Sequence, residues 1–252
     1  MTRIFVCEYT CAASSGTDGA ASLRAEGEAM LRAVLADFRR IPGVEAFTVL
    51  AEPDEEAVFR AAARSADWSL IIAPEFHDIL LTRCRWVLQE GGRLLGPSPA
   101  AVKLCGDKLA LFQSLGRYGC RIPETRPAVR GIATGWPEPF VRKPRFGAGS
   151  LDTYLVDPQS DLPMHDSPLG EMIEQSFVPG LPVSVSFLTG SKDGIGLVPC
   201  EQRLSADGRF RYRGGRLPLP PDLAKRAQNL AKWTIQYLPN AYGWIGVDLV
   251  LG

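Results

Sequence analysis

The chain has 252 residues, 46% of them hydrophobic and 22% charged, an ordinary globular composition with length enough for one large core or two smaller ones. Twenty-eight basic residues balance twenty-eight acidic ones, so the broad cationic footprint of a nucleic-acid-binding protein is absent. No apolar run reaches the roughly 18 residues of a membrane span. Six scattered cysteines without a C-x-x-C pair read as free thiols of a cytoplasmic protein, and Cys7 and Cys11 with two distant histidines do not make a metal site.

In chain order, "RIFVCEY" (3–9) is predicted as a strand and residues 12–21 as a small-residue loop, a better reading than a signal peptide. From Ser22 a helix follows, with Leu23, Met30, Leu31, Val34, Leu35 and Phe38 recurring at helical spacing until Pro42-Gly43 stops the pattern. Strand 44–50, helix 54–66, strand 68–75, helix 79–92 and a short strand 93–96 follow. Alternating strands and helices imply a parallel sheet with helices on its faces. Next comes one helix over 98–115, with Ser98 as N-cap and Pro99 behind it. Beyond Phe140 strands dominate, broken by a polar loop at 157–170 and one helix at 220–238; the last strand covers 242–251. The expected fold is therefore α/β followed by α+β: a small parallel domain over 1–96, then a mostly antiparallel domain over 97–252.

The stretch "FVRKPRFGAGS" (140–150) poses the chemical question. A phosphate-binding Walker or dinucleotide loop opens a helix. Here Gly147-Ala148-Gly149-Ser150 leads into the alternating run "LDTYLV", so the loop joins two antiparallel strands. Two readings stay open. It is a plain hairpin, or it grips phosphate with its own backbone N–H groups and a cation from outside, for which Lys143 is the candidate, held extended by Pro144.

The order "GPS" (96–98), "DK" (107–108), "IPET" (122–125), "VRKPRFGAGS", "IEQSFVPG" (173–180) and "GVDLVL" (246–251) resembles the ATP-grasp superfamily over nearly the whole chain. The resemblance implies a pre-ATP-grasp domain, an ATP-grasp domain hinged near 174–180, and ATP and Mg2+ as ligands. It makes Lys108 and Lys143 the two ATP lysines, and the segment with Gly147, Gly149 and Ser150 the loop over the β/γ-phosphates, mobile without nucleotide. Gln175 and the backbone of Ser176 to Val178 become the adenine-facing hinge. Asp248 becomes a magnesium ligand. Where the family places a ribose-binding carboxylate this chain has Pro182, and Glu174 is offset onto the opposite strand face. The family's E-x-N metal motif does not follow Asp248 before Gly252, which raises the expectation of a truncated polypeptide.

Other candidates complete the reading. Arg203, with Glu201 and Gln202 at a strand end that faces the phosphates in the family, is the catalytic candidate for stabilising charge on a transferring phosphoryl group, against a solvated strand end. Arg209, Arg211, Arg213 and Arg216 are expected on one strand face, toward an anionic substrate or water. Glu8 and Glu75 follow the best N-terminal strands, where open α/β sheets bind ligands, and are candidates for a substrate amine. His165 receives no role. A nicotinamide oxidoreductase is excluded because "TCAASSGTDGAAS" (10–22) lacks the dinucleotide pattern.

The implied activity is a carboxylate–amine ligase working through an acyl-phosphate on small-molecule amine and carboxylate substrates, with no nucleic acid or membrane partner. Homo-oligomers are compatible with it. "RIFVCEYT" and "APE" are similar to tyramine–glutamate ligases of methanofuran-type cofactor biosynthesis. The alternative of another class is a non-catalytic ATP-binding relative with a regulatory or scaffolding role.

Overall fold

The computed structural model describes residues 1–12, 20–50, 53–129, 135–159, 170–190 and 194–252. Most of the small-residue loop 12–21 and of the polar loop 157–170, with His165, lies outside the described residues. Two compact units result, Met1–Val102 and Lys103–Gly252.

The first unit comprises β1 (Thr2–Glu8), α1 (Tyr9–Ala12), α2 (Ala20–Arg39), β2 (Val44–Phe47), α3 (Glu55–Ser65), β3 (Trp68–Ile72) and α4 (Ile79–Gln89), with α5 (Pro99–Gly106) beginning at its end. The strands form a parallel sheet in the order β2-β1-β3. Central β1 is apolar on both faces because both are covered. Ile4 and Val6 pack with Leu31 and Leu35 of α2, while Phe5 and Cys7 pack with Phe59, Ala63 and Val87 of α3 and α4. The strand expected at 93–96 shrinks to a single bridge, Leu94 to Ser69, flanked by hydrogen bonds from Ser69 N to Arg93 O and from Leu95 N to Ser69 O.

The second unit holds α6 (Lys108–Gly116), β4 (Thr125–Pro127), β5 (Phe140–Pro144), β6 (Tyr154–Val156), β7 (Met172–Ser176), β8 (Leu181–Thr189), β9 (Gly194–Gly196), β10 (Cys200–Leu204), β11 (Tyr212–Arg216), α7 (Pro221–Ile235) and β12 (Gly243–Leu251). Its two sheets are antiparallel, with orders β4-β7-β5-β6 and β11-β10-β8-β12, β9 pairing β8. One face of the second sheet buries Val183, Val185, Phe187 and Leu251 against Ala227, Ala231 and Ile235 of α7. On the opposite face Trp244, Asp248 and Val250 are exposed, as the two-residue period of a one-sided strand requires. The mixed architecture is that expected from the sequence.

Three elements differ from the sequence reading. The helix over 98–115 breaks at Asp107, whose extended backbone (φ −102, ψ 99) caps α6. The run "IGLVPCEQRL" (195–204), expected as a single strand, divides into β9 and β10. The arginine stripe also dissolves: β11 starts only at Tyr212, and Phe210 takes a left-handed φ of 54 just before it. Arg209 instead lies over the Tyr154 ring, 3.9 Å from its centroid.

Candidate functional site

β5 and β7 pair in register, with Lys143 opposite Ile173, Val141 opposite Gln175 and Arg142 opposite Glu174. Alternation sends Lys143 and Gln175 to one face of this sheet and Arg142 and Glu174 to the other. On the first face the Lys143 ammonium donates to Gln175 Oε1 at 2.7 Å, and Gln175 Nε2 donates to Thr125 Oγ1 at 2.8 Å. The three strands β5, β7 and β4 thus fix one lysine–amide–hydroxyl chain. Burial of the ammonium, helped by the nearby charge of Lys108, lowers the Lys143 pKa from 10.5 to about 8. Gln175 is neutral and offers no countercharge.

On the other face Glu174 is fully buried beside Arg142, 3.8 Å between charged atoms, and accepts from Trp136 Nε1 at 3.1 Å. Its carboxylate faces away from Lys143, in agreement with the offset read from the sequence.

The glycine loop joins β5 to β6 as an antiparallel connection. At its entry, the Lys108 ammonium donates to Gly147 O at 2.7 Å and to Arg145 O at 3.3 Å. Arg145 grips Asp107 with two hydrogen bonds of 2.8 and 2.6 Å and reaches Glu171 at 2.8 Å. Asp107 also accepts from Leu109 N and Ala110 N, so one carboxylate caps α6 and ties it to the loop. The Arg145 guanidinium, then these amides, hold the Asp107 carboxyl below the usual carboxylate range. At its tip the loop turns left-handed, φ 68 at Gly149 and φ 58 at Ser150, a conformation costing a non-glycine residue roughly 1–2 kcal/mol. Ser150 Oγ donates to Phe210 O at 2.7 Å, and Leu155 N donates to Gly208 O at 2.7 Å, so the β10–β11 connection holds the loop down.

At the hinge, Ser176 N and Phe177 N donate to Glu124 O and Pro139 O. Val178 N is left without a partner among the described residues, on an exposed segment.

Asp248 sits on the exposed face of β12, opposite Ser184, and its Oδ1 accepts from Gln202 Nε2 at 3.1 Å. Among the described residues no group of three or more His, Cys, Asp or Glu side chains is placed to hold a metal. Magnesium takes one or two carboxylates plus substrate phosphates, so this donor set fits a metal that arrives with a nucleotide and not one held by protein alone. Arg203 lies in the register shift between β10 and β11, exposed, with no hydrogen bond or ion pair to a described residue.

In the first unit, Glu8 is buried at 3% exposure. Its Oε2 accepts from Thr10 Oγ1 (2.7 Å) and Cys11 N (2.9 Å) beneath Gly27 of α2. That carboxylate finishes β1 from the interior. Glu75 is exposed beyond β3, ahead of His77 and Asp78, which both take left-handed φ values, 53 and 55.

Sequence reasoning missed Thr125, the Asp107–Arg145–Glu171 clamp and the Phe210 carbonyl. All act through pairings 26 to 60 residues apart in the chain. Only the N-cap preference of Asp107 gave any local signal.

Two family descriptions match the chain: a pre ATP-grasp domain over residues 30–102 and an ATP-grasp domain over residues 105–252. A tyramine–L-glutamate ligase of Methanocaldococcus fervens is 23% identical over 185 residues, 73% of this chain and 54% of that protein. The chain spans about half the length of the curated relatives it matches. Among solved structures, an ATP-grasp superfamily protein from Archaeoglobus fulgidus superposes with a TM-score of 0.75 at 23% identity, over 99% of this chain and 77% of that one. N5-carboxyaminoimidazole synthetase from Staphylococcus aureus, complexed with ADP, gives 0.72 at 14% identity, over 99% and 66%. With an ATP-grasp domain matched over more than half its length, this chain belongs to the ATP-grasp superfamily.

Proposed function

We propose that this protein is an ATP-dependent carboxylate–amine ligase. The observation that carries the proposal is a pair of neighbouring lysines: Lys108 on the Gly147 carbonyl of the glycine loop, and Lys143, close enough to feel its charge, on Gln175. Two cations at a loop of backbone amides, beside an extended hinge whose Val178 N–H has no partner among the described residues, suit a nucleoside triphosphate: phosphates toward the lysines, base edge toward the hinge. Magnesium, when bound with the nucleotide, neutralises the β- and γ-phosphate charge, and Asp248 is the residue that would hold it. Arg203, exposed and without a partner among the described residues, is the cation proposed for the transferring phosphoryl group.

In this reaction a substrate carboxylate oxygen attacks the γ-phosphorus and ADP leaves. The amine then attacks the acyl carbon, phosphate departs, and the amide forms. No protein nucleophile is required; the chain's residues orient and neutralise. In the finer reading the acid is glutamate and the amine is small and tyramine-like, serving a methanofuran-type cofactor in the cytoplasm. Similarity to the two tyramine–L-glutamate ligases supports this. A second reading, a nucleotide binder without turnover, is favoured by two observations. Among the described residues no group of three or more His, Cys, Asp or Glu side chains gathers to hold a metal, and Pro182 offers no hydrogen-bonding side chain where the family binds ribose.

Titration calorimetry with magnesium-ATP is the test, on this chain and on Lys143→Met. Losing a charge-assisted contact of about 1.5–3 kcal/mol should weaken binding about 10- to 100-fold. Equal affinities would remove Lys143 from the site. ADP release that depends on glutamate and tyramine together separates the ligase from the binder.

A further inference from the structure

We propose that the second unit carries another small-molecule site, on the sheet face opposite Asp248, shaped for a free α-amino acid with an apolar side chain. A cleft of about 400 Å³ opens there, within the range of about 300–1,000 Å³ usual for small ligands. Leu181, Leu219 and Leu223 line it with Pro218 and Pro220, and two charged side chains complete the wall, Glu201 and Arg216.

The sheet register places these charges. Glu201 of β10 lies opposite Arg216 of β11 on one side and Val183 of β8 on the other, and Val183 lies opposite Leu249 of β12. Val183 and Leu249 belong to the core under α7, so Glu201 and Arg216 project to that same face, away from Asp248 and Gln202. Opposite charges facing each other across a strand pair ordinarily stabilise one another directly. Here they do not close: neither side chain makes a hydrogen bond or ion pair with any described residue. A zwitterion is the ligand that uses both at once. Its ammonium meets the Glu201 carboxylate, its carboxylate takes the Arg216 guanidinium in a two-point hydrogen bond, and its side chain enters the leucine–proline cleft. A simple amine or carboxylic acid would satisfy only half of this arrangement.

The site stands apart from the ligase reading, since it uses neither Lys143 nor the hinge. Titrating the intact chain with L-leucine and L-phenylalanine tests it, alongside 4-methylpentanoate and isoamylamine as half-ligands and the variants Glu201→Gln and Arg216→Gln. At least one of the amino acids should bind saturably at a single site. Each variant and each half-ligand should be weaker by about tenfold or more, the loss of one charged hydrogen-bonding partner. Thermal melts and magnesium-ATP titrations of the same samples report the fold and the nucleotide site separately. Absence of saturable binding by both amino acids, undiminished binding by the folded variants, or half-ligands that bind as tightly would overturn the assignment.

Discussion

Lys143→Met should stabilise the ligand-free protein while weakening its hold on nucleotide. Desolvation dominates at the part-buried ammonium, no carboxylate of a described residue lies beside it, and its pKa falls from 10.5 to about 8. At about 1.4 kcal/mol per unit, holding Lys143 charged in the fold at pH 7 costs about 3 kcal/mol. Methionine has nearly the same reach and no charge to desolvate. Its one liability is Gln175 Oε1, which loses its donor at a cost of about 1 kcal/mol. The net expectation is about 2 kcal/mol of added stability at pH 7.

The pH dependence fixes the cause. Between about pH 8 and pH 10.5 the unfolded lysine still holds its proton and the folded one has released it. Wild-type stability therefore rises with pH in that window, by up to about 1.4 kcal/mol per unit relative to the methionine variant. Urea unfolding of both proteins at pH 7, 8, 9 and 10 reads the difference directly, because every other titrating group is common to the pair. The variant's advantage should shrink above pH 8 and vanish by pH 10. A variant less stable than wild type at pH 7, or a gap that stays constant across the window, would refute the reasoning.

Asp107→Ala should cost about 2 kcal/mol, about 1 from the lost helix cap and the rest from the part-buried Arg145 partner, as measured by urea unfolding at pH 7. Its carboxyl is held below the ordinary range, so the wild-type advantage is full above about pH 4 and fades as acid protonates the folded carboxylate. Gly27→Ala should destabilise the first unit by about 1–3 kcal/mol, although helix propensity alone favours alanine by about 1. A Cβ there would sit 2.4 Å from Glu8 Oε2 and 2.3 Å from Thr10 Oγ1, and a higher melting temperature would show that those groups move aside at no cost.

Much of the fold was legible because it is written in local periods. The switch from alternating strands and helices to successive strands marked the change of architecture, and the alternation after Ser150 showed that the glycine loop joins strands. What escaped was set by distant partners. In the run from Ser98 to Leu115 the one local signal is Gly106-Asp107, a helix stop followed by an N-cap residue, and the helical spacing on either side carries the pattern across it. The break at Asp107 comes with Arg145, 38 residues away, taking the carboxylate that also caps α6. The arginine stripe failed for a local reason that alternation cannot see: Phe210 turns left-handed, and the strand begins two residues later.

The triplet Glu201-Gln202-Arg203 shows why the candidate site was harder to read than the fold. As sequence it is one polar strand end, and all three residues seemed to share a direction. In the sheet the two-residue period separates them. Gln202 turns toward Asp248, whereas Glu201 turns to the face packed on α7. Arg203 falls where the β10–β11 register slips. Family order can identify the strand, but only register assigns each residue to a face. A shift of one residue would exchange the groups near Asp248 with those lining the leucine–proline cleft. The same holds for Glu174 and Gln175: adjacent in sequence, one is buried with Arg142 and the other hydrogen-bonded to Lys143. Chemistry at this sheet is therefore decided by cross-strand pairing, which a single sequence encodes only through the apolar residues that bury one face.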